Sequence, residues 1–155
     1  MSRLSILTAA ALLAACATDT PPASRGGGGA FGAALLVEAA DWSRAEIVTL
    51  SMVEFAFDPK ELTLRANQPY RLRIRNDGKL ARSFAAPEFI RGSAVRGVVP
   101  LPGEIRPTLT YNDVPLSAGG AKEMSVIPVA KGRYEMKSGA FGESMLGLIG
   151  AIVVE

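Results

Sequence analysis

The sequence predicts an all-β protein, an antiparallel β-sandwich of about seven to eight short strands. Three observations carry that expectation. From Trp42 onward, apolar and polar residues alternate in short runs rich in β-branched and aromatic side chains, the period of a half-buried strand. Clusters of Gly, Pro, Asn and Asp punctuate these runs. No window holds a 3.6-residue apolar period for three turns, which nearly excludes long helices.

The elements follow in order. EIVTLSMVEFAF alternates until Asp58-Pro59 breaks it. ELTLRA is a second strand, ended by Asn67-Gln68-Pro69. In YRLRIRNDG, Tyr70, Leu72 and Ile74 point one way and Arg71, Arg73 and Arg75 the other, with Asn76-Asp77-Gly78 closing the strand as a turn. SFAAPEF comes next. KEMSVIPV, GRYEMKS and LIGAIVVE supply three more strands. Between these groups, residues 92–120 carry four of the ten prolines. A structureless passage of that length is usually functional or mobile, so it reads as a loop contacting a partner or ligand, or as an insertion without a role.

The first 41 residues differ in kind. MSRLSILTAAALLAAC has a basic start at Arg3 and an apolar stretch too short to span a bilayer, so residues 1–15 read as a signal peptide. Leu13-Ala14-Ala15-Cys16 looks like a bacterial lipobox, in which Cys16 is lipidated and anchors the chain to the membrane. Ala17 in place of an acidic residue favours the outer over the inner membrane. Residues 16–41 read as the lipidated Cys and a Pro/Gly tether, and 42–155 as the domain. Within the tether, AFGAALLVEAAD reads either as a short helix lying on the domain or as more tether.

Composition narrows function. The formal charge is +2, and +1 once Arg3 leaves with the leader, too little to argue for nucleic acid. There is no His and a single Cys, so the commonest general base and metal ligand are missing and no disulfide forms within the chain. No catalytic set assembles. Ser138 has no imidazole to activate it, Lys137 points to the other strand face, and Glu143, Asp113 and Glu135 are scattered. An enzyme is not expected.

VEFAFDPKELTLRANQPYRLRIRNDGKLARSFAAPEF resembles the front half of the cupredoxins, the blue-copper β-sandwiches, and GRYEMKSGAFGESMLGLIGAIVV resembles their back half. The likeness runs from Trp42 to Glu155 and is poor in the middle passage. It implies a Greek-key sandwich whose copper is held by a His in the first half and by Cys, His and Met on the last loop. Carried over one by one, the first His falls on Arg82, the Cys on Ser138, the second His on Glu143 and the Met on Leu148. The spacing is kept and all four ligands are replaced, so no metal is expected in a type 1 site. Arg82 and Glu143 are expected either to pair as guanidinium and carboxylate or both to face water. Met136 and Met145 offer the alternative of a weak Cu(I) site, against the usual use of Met to fill core gaps. The arginine row reads as an anion or headgroup surface or, with more weight, as an outer sheet face paired with Glu from a neighbouring strand. The resulting expectation is a copper-free, cupredoxin-like envelope lipoprotein acting as a binding or scaffold module for a periplasmic protein or small molecule. The alternatives are a copper-binding or electron-transfer protein with a Met-based Cu(I) site, and a structural partner of a larger envelope complex.

Overall fold

The computed structural model of the chain describes residues 29–138 and 148–155. Its strands in chain order are β1 (Glu46–Met52), β2 (Phe57–Asp58), β3 (Glu61–Leu64), β4 (Tyr70–Asn76), β5 (Arg82–Ala85), β6 (Ser93–Pro100), β7 (Val114–Leu116), β8 (Ala121–Pro128), β9 (Gly132–Ser138) and β10 (Ile149–Val154). Helix α1 (Gly29–Ala39) precedes them, and the single-turn α2 (Pro87–Arg91) separates β5 from β6. Proline suits the first turn of α2 because the amide it lacks has no helical partner there. SFAAPEF is therefore strand only as far as Ala85.

The strands form two five-stranded sheets, ordered β2-β1-β4-β8-β6 and β3-β10-β9-β5-β7. The inner face of the first presents Leu50, Met52, Leu72, Ile74, Met124 and Val126, and the second answers with Phe84, Met136, Ile152 and Val154. Burying each such side chain contributes roughly 1.5–3 kcal/mol, so this shared layer is what joins the sheets. Phe57 and Phe84 meet edge to face across it, their ring centres 6.4 Å apart.

The β-sandwich is as expected, with two differences of detail. Among the described residues there are ten strands, because EIVTLSMVEFAF turns back on itself, Val53 N–H donating to Ala56 O at 3.0 Å, and because residues 92–120 are not structureless. The sheets are also mixed: β1 runs parallel to β4, and β3 to β10. From β2 to β9 the chain changes sheet at every step, so β4 re-enters the first sheet in the direction of β1. Local alternation is the same for either direction and carries no sign of it.

Residues 92–120 give β6 and β7, joined by an irregular segment braced by buried charge. Glu104 accepts from Arg106 N at 2.7 Å, Ser117 N at 2.9 Å and Ser117 Oγ at 2.9 Å. Lys122, 0 % exposed on the inner face of β8, donates to Thr108 Oγ1 at 2.8 Å. The stretch left open between helix and tether is helix α1, which packs on β6. Trp42 Nε1, in the 3-10 turn that follows, donates to Val37 O at 2.9 Å. No described helix is long and apolar enough to cross a membrane.

On the outer face of β4, Arg71 and Arg73 meet a glutamate of the neighbouring strand, as the paired-face alternative had it, while Arg75 pairs with Asp77 just beyond its own strand. Glu123 of β8, 4 % exposed, takes Arg71 Nε at 2.6 Å and Arg73 Nε at 3.0 Å. Burial opposes its ionisation, but the hydrogen bonds and charges of Arg73 and Arg71 outweigh that and hold the carboxyl below its ordinary value of 4.5. A depressed carboxylate stabilises the fold above its unfolded pKa and stops doing so as pH falls through its folded value. Glu123→Gln is therefore expected to cost roughly 1 kcal/mol at pH 7 in urea unfolding, since both arginines are partly solvated. The gap from wild type should close as pH drops below 4.5. Lys122 is lowered too, but for a base the consequence for stability is the opposite. Burial lowers its pKa from 10.5, Glu104 opposes this and Arg106 adds to it, so its charge is a cost at all pH values below 10.5. Lys122→Met should raise stability at pH 7 by about 1 kcal/mol, and the gain should vanish in melts above pH 10.5.

Candidate functional site

At one end of the sandwich, strand parity turns polar residues into the core. Phe84 faces inward, so Arg82, two residues earlier on β5, does too, and it is only 3 % exposed. Its guanidinium crosses between the sheets to the β1–β2 turn. Nη1 donates to Val53 O and Nη2 to Glu54 O, each at 2.5 Å, and Nη2 lies 3.5 Å from Glu54 Oε2. Such charge-assisted bonds to carbonyls are what make a buried cation tolerable. Room for it comes from Gly78, where a Cβ would stand 2.6 Å from Arg82 Nη1.

Asn76 fastens the neighbouring loops. It continues the inward row of Tyr70, Leu72 and Ile74 and is fully buried. Its Nδ2 donates to Leu80 O at 2.7 Å and Ser117 O at 2.9 Å, and its Oδ1 accepts from Gly78 N at 3.1 Å. Its backbone N–H donates to Gly120 O and its carbonyl accepts from Gly119 N, each at 2.9 Å. Gly119 has φ +70°, a conformation that costs glycine little. The β1–β2, β4–β5 and β7–β8 connections are thus held by two side chains, and exposed Val53, Phe55 and Leu80 stand on the first two of them.

Three of the four positions set by the resemblance lie within the described residues and come to this end. Ser138 is the register partner of Phe84, is buried, and donates through its N–H to Leu148 O at 3.3 Å. Leu148 is fully buried in the core cluster. Arg82 stands one strand step beyond Phe84 on the same face. Glu143, and with it the expected ion pair, lies outside the described residues, as does Met145. Met136 is buried in the core, where it fills the space above Gly150: a Cβ there would meet Met136 Cε at 2.5 Å. Among the described residues no three His, Cys, Asp or Glu side chains gather as a metal site.

Sequence reasoning missed Asn76, Gly78, Glu104 and Lys122. Asn76 was within its reach, because it continues the parity of Ile74. Glu104 and Lys122 carried no signal, since a charge in an irregular passage or at a strand start reads as solvated.

No family model matches the chain, and no curated protein does. Solved structures do. Auracyanin from Roseiflexus castenholzii, in its dithionite-reduced form, is 17 % identical with a TM-score of 0.51 over 72 % of this chain and 98 % of its own. Auracyanin B is 18 % identical with a TM-score of 0.50 over 75 % and 93 %. A multicopper oxidase gives a TM-score of 0.55 at 13 % identity, and this chain spans only 44 % of its length. At such identities the likeness establishes architecture: the two mixed sheets are a β-sandwich of the cupredoxin type.

Proposed function

We propose that this chain is a bacterial envelope lipoprotein whose cupredoxin-type domain holds no type 1 copper and acts as a binding or scaffold module. Cys16 carries the lipid, the outer membrane is its site, and the domain faces the periplasm. The observation that supports this reading is the environment of Arg82. It stands where the resemblance calls for an imidazole, carries a permanent positive charge, and spends that charge on the carbonyls of Val53 and Glu54. A cation beside it would be repelled. Ser138 supplies a hydroxyl in place of a thiolate, and Leu148 supplies no ligand at all. The donor set does not fit copper, and no redox or catalytic step is assigned to the domain.

A recognition role draws support from the same end of the molecule. Arg82 and Asn76 fix the loops that present Val53, Phe55 and Leu80 to solvent, and exposed apolar side chains on braced loops suit a protein or small-molecule partner.

Two outcomes are expected. Purified chain exposed to Cu(II), and separately to Cu(I), then desalted, should retain no stoichiometric copper and show no blue absorption. Stoichiometric Cu(I) that disappears in Met136→Leu or Met145→Leu would replace this reading with a thioether site. Arg82→Met should lower unfolding free energy by about 1–3 kcal/mol, because two carbonyls of the β1–β2 turn lose their charged donor. Arg82→Lys should recover only part of that loss, since one ammonium cannot reproduce the fork.

A further inference from the structure

Helix α1 breaks the rule that a surface helix turns a polar side to water. GAFGAALLVEA contains one charged residue, Glu38, and no other polar side chain. One side packs on β6 and β8, where Ala94 and Ile127, cross-strand partners on the face away from the core, are buried. The other side is bare: Leu35 is 52 % exposed and Leu36 37 %, with Ala34 and Ala39 also exposed. The bare surface continues past the helix. A groove of ≈ 490 Å³, with Ala33, Leu36, Val129 and Ala130 among its walls, runs between α1 and the β8–β9 turn, and Val129 there is 41 % exposed. Arg91, paired with exposed Glu88, lines this groove, and Arg44 lines the neighbouring hollow beside Leu36, Ala39 and Asp41.

We infer that this side of α1 lies on the surface of a lipid bilayer containing anionic headgroups, with Leu35, Leu36 and Val129 at the headgroup–acyl boundary and Arg44 and Arg91 against the phosphates. The inference rests on the proposed lipidation of Cys16 and extends it from a tether to a fixed orientation. Two facts choose a bilayer as the occupant. Only twelve residues, 17–28, separate Cys16 from α1, and twelve residues span at most about 43 Å. The end of the domain nearest the anchor is therefore the end that carries the uncovered apolar helix. Aliphatic side chains beside arginines are also the combination that interfacial helices use: apolar contact supplies most of the binding, and basic groups add attraction to anionic lipid. A helix of eleven residues, about 16 Å long, binds weakly alone but needs little free energy once an anchor holds it near the surface.

The test uses the whole chain in vesicles of phosphatidylethanolamine and phosphatidylglycerol. Acylation consumes the only thiol, so Leu35→Cys, and Thr63→Cys on exposed β3 of the other sheet, each carry a single spin label. The label at 35 should collide several-fold more with oxygen than with a water-soluble nickel chelate, relative to the label at 63, and Arg44→Glu with Arg91→Glu should reduce that preference. Flotation with the vesicles but equal accessibility at 35 and 63 would keep the anchor and overturn the orientation. Spin–spin broadening at 35 that grows with protein density would also overturn it, by assigning the helix face to a second copy. Failure to float would remove anchor and orientation together.

Discussion

A guanidinium placed between two sheets has to be answered by oxygen atoms, and the loops at one end of this sandwich are arranged to supply them. Arg82 rises from β5 in one sheet and ends on the β1–β2 turn of the other. That requirement fixes the turn, demands the missing side chain at Gly78, and sets the geometry from which exposed Phe55 and Leu80 project. A buried charge of this kind is weak evidence for extra stability, because desolvation offsets much of the attraction. Its effect is on conformation: a turn that moved away would take two carbonyl acceptors from a cation in the core. Asn76 does the same with a neutral group, and the two side chains tie the β1–β2, β4–β5 and β7–β8 connections to the sheets.

Much of the fold was legible because β4 and β9 follow simple alternation, and because β8 and β10 are short apolar-rich runs bounded by Gly and Pro. Where legibility failed, a physical reason is at hand. Leu50, Met52 and Phe57 all face the core although Phe57 has the opposite parity, which only a turn between them allows. In a stretch that goes on alternating through Glu54 and Phe55, that change of phase is easy to overlook. Strand β6 was hidden by its glycine and proline. It is an edge strand with an irregularity between Val95 and Gly97, where both residues are tolerated. Strand direction was not readable at all, since it is decided by which sheet the chain returns to.

The candidate site divides in the same way. The resemblance placed Arg82, Ser138 and Leu148 at one end of the sandwich, and all three are buried there. What it did not supply was the contact of Arg82 with Val53 O and Glu54 O, because main-chain oxygens of a distant turn leave no trace in residue identity. Architecture shared with auracyanins at 17–18 % identity says where side chains converge. Which chemistry they perform is set by the residues themselves, and here a fixed positive charge occupies the point of convergence.

The order of strands has one more consequence. β10 lies between β3 and β9, hydrogen-bonded to both, and among the described residues β3 has no other partner strand. An early segment, Glu61–Leu64, therefore waits for Ile149–Val154 before its backbone groups can pair. Such a sheet cannot be assembled progressively from the N-terminus as the chain emerges. The topology itself delays closure of the second sheet until β10 arrives.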